Sequence, residues 1–140
     1  MACELCDQDG GLLIWRGPKL RVIRVDDAAF PGFYRVIWNA HVAEWTDLEP
    51  ADRSHLMQTV AKVETLVRAH LKATKVNLAS LGNVVPHLHW HVIARFAADS
   101  HFPNPIWGQA VREALPDVLK ACRDALPALD QALVASLSQG

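Results

Sequence analysis

The chain has 140 residues, 51% of them apolar, which suits one compact domain with a sizeable core and leaves little room for a second. Fourteen Lys and Arg against fifteen Asp and Glu leave a formal net charge of -1, so no global basic field exists to gather a nucleic-acid polymer or an anionic membrane, and any anion site must be local. No stretch approaches the ~20 apolar residues needed to cross a bilayer, and the acidic start Met1-Ala2-Cys3-Glu4 lacks the basic and apolar regions of a signal peptide, so a cytoplasmic location is expected.

Cys3-Glu4-Leu5-Cys6 opens the chain with metal-ligand spacing, but two cysteines make only half of a tetrahedral zinc site. A redox Cys-x-x-Cys is the alternative, weakened because no parallel βαβ pattern surrounds it. Residues 12–15 and 20–25 are expected to be strands about the turn-like Gly17-Pro18, with Asp26-Asp27 closing the second. Asx side chains at such a place also stabilise turns without any ligand. Residues 33–38, Phe33-Tyr34-Arg35-Val36-Ile37-Trp38, are rich in aromatic and β-branched types and predict a third strand. Leu56, Val60, Val63, Val67 and Leu71 then recur at four, three, four and four residues, which predicts an amphipathic helix over 50–73 starting with Pro50 at its first position.

Residues 75–81 and 88–94 read as two more strands joined by Gly82-Asn83-Val84-Val85-Pro86. The second holds His87-Leu88-His89-Trp90-His91 on a central or near-central strand, where alternation is expected to put the three imidazoles on one face and Leu88 and Trp90 on the other. From Gln109 to Leu137 the composition is helical, with Pro116 and Pro127 expected to break the tail into two or three short helices, and Cys122 expected to be a small buried hydrophobe. The fold class is thus α+β: a meander-like antiparallel sheet of about five strands, one main helix, and a short helical C-terminal tail, in a single domain over 1–140 with its core at about 3–107 and the tail at about 108–138.

Two chemistries suit three imidazoles on one strand. One ring attacks phosphorus while another supplies a proton or charge, and the phospho-histidine is then hydrolysed. Alternatively, His-x-His chelates a metal whose bound hydroxide attacks.

The run resembles the signature of the histidine triad (HIT) family of nucleotide hydrolases and transferases, His-x-His-x-His-x-x, here His87-Leu88-His89-Trp90-His91-Val92-Ile93. The likeness extends over most of the chain. The strand leading to His41, the long helix after it and the Gly82–Pro86 entry loop are similar to those of the family, and His101-Phe102-Pro103-Asn104-Pro105-Ile106-Trp107 is similar to bacterial members of diadenosine tetraphosphate hydrolase type. The resemblance implies a HIT-like fold, a nucleotide substrate, a homodimer, His89 as nucleophile, His91 against the transferring phosphate, Asn83 at the phosphate or leaving group, and Asp26, or Asp27 beside it, at the ribose. It also implies that Cys3, Cys6, His41 and His87 hold a structural zinc; with His87 so committed, His89 and His91 remain for chemistry. Phe33, Asn83 and Val84 stand where many members have His, Gln and Ser or Thr, so leaving-group contacts are expected to differ. Beside hydrolase or transferase action through a covalent nucleotidyl-histidine stand two rivals: a metal-dependent hydrolase on the same histidines, and a nucleotide-binding regulatory module with little turnover.

Overall fold

Strand-forming segments and two long amphipathic helices alternate along the chain, and the computed structural model describes them over residues 2–139. In order they are α1 (Glu4–Asp7), β1 (Leu12–Arg16), β2 (Leu20–Arg24), β3 (Phe33–Trp38), α2 (Pro50–Leu71), β4 (Lys75–Ala79), β5 (His89–Arg95) and α3 (Pro116–Leu137). The strands form one antiparallel sheet in the order β1-β2-β3-β5-β4. The α+β class, the five strands and the long helix match expectation, but the sheet departs from a simple meander after β3. Twenty-two residues of α2, about 33 Å of helix, carry the chain past the next position to the sheet edge, and β5 returns into the gap between β3 and β4. The histidine strand is therefore an inner one.

The period of α2 explains what it buries. Leu56, Val60, Val63, Val67 and Leu71 form its apolar stripe, Pro50 occupies the first turn where its missing N–H costs nothing, and Lys72 ends the helix in a left-handed conformation. That stripe packs with Leu129 and Leu133 of α3 against Val22, Val36 and Val92, so both long helices cover one face of the sheet. The predicted break-up of the tail does not occur. Residues 109–115 are irregular and Pro116 begins a continuous helix of 22 residues, because a proline in the first turn starts a helix rather than ending one. Pro127 sits inside it, where the burial of Cys122, Leu126, Leu129, Leu133 and Leu137 outweighs one lost backbone hydrogen bond. The C-terminal helix is thus half of the helical layer, not an appendage.

The other sheet face presents Arg21, Ile23, Phe33, Arg35, Ile37, His89, His91 and Arg95, and it has no helical layer. Near its β2 side, α1 lays Leu5 onto Ile23 and Ile37. Beyond β5, the segment 96–115 brings Ile106 onto Phe30, Phe33 and Ile93. A fully buried fork anchors that segment: Arg95 donates to both Asp99 carboxylate oxygens at 2.9 and 3.1 Å, and the carboxylate also accepts the backbone N–H groups of Phe96, His101 and Phe102. These acceptor contacts hold Asp99 ionised against the opposing effect of burial. Between the two covers the sheet face stays open. No helix among the described residues is long and apolar enough to cross a membrane.

Candidate active site

The opening between the covers is a cleft of about 480 Å³ floored by His89, His91 and Arg35. Glu4 and Leu5 of α1 wall one side, Asn83 in the β4–β5 loop another, and Trp107 of the 96–115 segment closes it. The expected single row of three imidazoles is only partly realised. β5 begins at His89, so His87 lies in the entry turn, where its N–H donates to the Val85 carbonyl at 2.8 Å. Its ring leaves the strand periodicity, turns under α1 and is fully buried away from the cleft. His89 and His91 keep the alternation, with ring centroids 4.9 Å apart.

Hydrogen bonds set the tautomer of each ring. His89 Nδ1–H donates to the His87 carbonyl at 2.6 Å, which leaves the Nε2 lone pair free. At His91 the polarity is reversed, because the Arg35 Nε–H donates to Nδ1 at 3.3 Å and the proton of the neutral ring therefore resides on Nε2. Register creates this contact, since Arg35 and His91 are direct partners across β3 and β5. Burial lowers the pKa of His89 from its ordinary value, and burial followed by the Arg35 charge takes that of His91 down to about 3. The ring of His91, beside His89, is consequently neutral at physiological pH. His91 is thus a neutral ring that donates through Nε2–H, with the positive charge beside it on Arg35.

The second constellation lies below α1. Cys3 Sγ and His87 Nδ1 are 3.3 Å apart, Cys6 Sγ and His41 Nδ1 3.4 Å, Cys6 Sγ and His87 Nδ1 3.5 Å, and the two imidazole Nδ1 atoms 3.3 Å, all four donor atoms falling within 4.8 Å of one another. Four such donors around a tetrahedral zinc at ordinary bond lengths sit about 3.3 to 3.8 Å apart, so the set fits that ion with no position left over. His87 Nε2–H donates to the Trp38 carbonyl at 2.6 Å, which fixes its tautomer with the Nδ1 lone pair aimed at the thiols. Burial lowers its pKa, favouring the neutral form a metal requires. His41 reaches the cluster from just beyond β3, as the resemblance implies.

The remaining expectations divide. Asn83 is exposed in the cleft lining. Asp26 and Asp27 fall outside that lining, and the Asp27 carboxylate accepts the Ala29 and Phe30 N–H groups at 3.0 and 3.2 Å, so Asp27 caps a turn. Asp26 is exposed at the end of β2. Two residues that sequence reasoning did not single out also belong to the cleft. Trp107 meets His91 edge-on at 5.0 Å while half its surface remains accessible, and Arg35 floors the cleft beside it. Their signals are weak in one dimension: Trp107 is 16 positions from His91, and Arg35 joins it only through strand register.

Comparison with known proteins places this geometry among relatives. The sequence model of the HIT domain matches residues 11–98. An AP-4-A phosphorylase of Mycobacterium tuberculosis is 28% identical over 126 residues, covering 86% of this chain; the chain spans 63% of the length of that relative. A histidine triad protein from Bradyrhizobium japonicum superposes with a TM-score of 0.71 at 28% identity over 89% of both chains. A second, from Sinorhizobium meliloti, gives 0.70 at 25% identity over 89% of this chain and 88% of its own.

Proposed function

The chain belongs to the HIT domain family, and on that premise we propose that it is a nucleotide phosphate hydrolase or transferase of dinucleoside polyphosphate or phosphoramidate type, acting through a covalent nucleotidyl intermediate on His89. The observation that carries this reading is the 2.6 Å bond from His89 Nδ1–H to the His87 carbonyl, which holds the opposite nitrogen unprotonated in a cleft beside a hydrogen-bond donor. The AP-4-A phosphorylase relative supports a nucleotide substrate.

In the first step the His89 Nε2 lone pair attacks phosphorus, the bond from phosphorus to the leaving group breaks, and the leaving group departs with the electron pair. His91 Nε2–H donates to a phosphate oxygen, Asn83 orients the phosphate or leaving group, and Asp26 is the candidate ribose contact. In the second step water, or another acceptor, attacks the same phosphorus, the P–N bond breaks and its electron pair returns to His89, while the proton of the attacking water passes to solvent.

Cys3, Cys6, His41 and His87 would hold a zinc whose contribution is structural, joining α1 to the sheet and fixing the His87 carbonyl that orients His89. A closed donor set that excludes His89 and His91 speaks against a metal-bound hydroxide as the attacking group. A homodimer in the cytoplasm completes the proposal. A screen of adenosine phosphoramidate, diadenosine polyphosphates and nucleotide sugars, with product identification, tests it: release of a nucleoside monophosphate or its transfer to an acceptor is expected. Tight nucleotide binding with no product from any of them would favour the regulatory module.

A further inference from the structure

Three arginines of the inner strands β2, β3 and β5 stand on the open face of the sheet, and two have their guanidinium groups engaged by the protein. Arg21 donates to the carbonyls of Leu5, Gln8 and Asp9 and to Asn39, and Arg95 donates to both oxygens of Asp99, to Asn77 and to the Asn104 carbonyl. Arg35 differs. Its Nε–H is used on His91, whereas its two Nη groups have no acceptor among the described residues and it forms no ion pair. Desolvation lowers its pKa, and the Glu4 carboxylate in the cleft wall offsets this only in part, without an ion pair among the described residues, so a partly buried cation stands in the cleft floor with its Nη groups open to a ligand. Burying a charge is costly unless a partner offsets it, and a guanidinium presents its Nη pair in a fork that matches phosphate oxygens.

We propose that Arg35 is an anion-binding residue of this cleft, its Nη groups taking a phosphate of the substrate beside the His89–His91 pair. This rests on the nucleotide reading for the identity of the substrate, but not for the anion itself. Phe33, which fills the position of a further histidine in many HIT proteins, lies under the same guanidinium at 5.3 Å and helps hold it in place. The positive charge of the site is thus carried by a residue that stays protonated across the physiological range, and His91 is left to donate as a neutral ring.

Calorimetric titration of wild-type protein and of Arg35→Met and Arg35→Lys with AMP, adenosine and inorganic pyrophosphate tests the assignment. Loss of charge-assisted hydrogen bonds in Arg35→Met should weaken AMP and pyrophosphate by about 10- to 100-fold, leave adenosine nearly unchanged, and be partly relieved in Arg35→Lys. A parallel arm uses wild-type protein alone: pyrophosphate should protect Arg35 from phenylglyoxal, read by peptide mapping, while the exposed Arg68 continues to react. Reaction of Arg35 at the same rate with and without pyrophosphate overturns the proposal even where a variant fails to fold. So does AMP binding equally well to wild-type protein and a folded Arg35→Met variant, an outcome that leaves the nucleotide reading intact. Arg35-dependent binding of pyrophosphate with no binding of AMP would keep the anion site and overturn the nucleotide reading, and wild-type protein that binds neither overturns both.

Discussion

His89 and His91 are only two residues apart, yet their hydrogen bonds give them opposite ring polarity: His89 is a donor at Nδ1 and His91 an acceptor there. Only His89 then offers a lone pair at Nε2, which is the physical reason to separate two side chains that alternation alone makes equivalent. The depressed pKa of His91 has a thermodynamic counterpart. Its folded value of about 3 lies below the ordinary value near 6.5, so the unfolded chain binds a proton that the folded protein refuses, and stability is lost as pH falls from about 6.5 toward 3. His89, Arg35, Phe33 and Trp107 surround the ring, and none is an anion that would reverse the sign. Replacing His91 with Asn removes this titration. Unfolding free energies from urea titrations at pH 7 and pH 5 should therefore fall further for wild-type protein than for His91→Asn, by on the order of 1 kcal/mol; an equal or larger fall in the variant would show that the ring is not buried neutral.

Among the elements, α3 illustrates how tertiary packing overrides a local rule. Pro127 is a sound sequence signal for a helix break, and the helix runs through it because Leu126, Leu129 and Leu133 have a core to join. Pro127 itself is exposed, so Pro127→Ala should stabilise the protein by about 1 to 3 kcal/mol in urea unfolding, since it restores a backbone hydrogen bond and relieves the ring clash. Leu129→Ala, by contrast, opens a fully buried site and should cost about 2 to 5 kcal/mol. No gain from the first substitution would mean that the helix is distorted at that point for reasons beyond the proline.

Legibility in the sequence follows the same division between local and non-local causes. The α2 stripe and the alternation of His89 and His91 depend on residues within one element, and periodicity sets them out directly. The departure of His87 from its strand depends on where α1 lies, 84 positions away along the chain at Cys3. The pairing of Arg35 with His91 depends on β5 inserting between β3 and β4, and on a register no single strand contains. The turn that Asp27 caps depends on the N–H groups of Ala29 and Phe30, and an aspartate in sequence does not display those contacts.

For the whole molecule, the sheet has one dry side and one chemical side: helices cover the first, and the second is left to two small covers with a cleft between them. The cover formed by α1 is a single short turn whose attachment rests on Leu5, on the Arg21 hydrogen bonds to the carbonyls of Leu5, Gln8 and Asp9, and on the Cys and His cluster. One zinc per chain is accordingly expected by metal analysis of gently purified protein, with a lower melting temperature after chelation. Far less than one zinc together with unchanged melting would contradict the structural site. The near-neutral charge predicts weak steering of anions from a distance, so the association rate with AMP should change little between low and physiological salt.

Covalent chemistry at His89 is the claim on which the functional account turns, and trapping locates it directly. Protein mixed with diadenosine tetraphosphate, acid-free quenched within milliseconds to seconds and mapped by mass spectrometry should carry a nucleotidyl group on the peptide containing His89-Trp90-His91, with fragmentation placing it on His89. His89→Asn should bind the nucleotide but yield no adduct and almost no turnover, because the lost ring contributes chiefly in the transition state. An adduct on His91, or turnover near the wild-type rate in His89→Asn, would contradict the account.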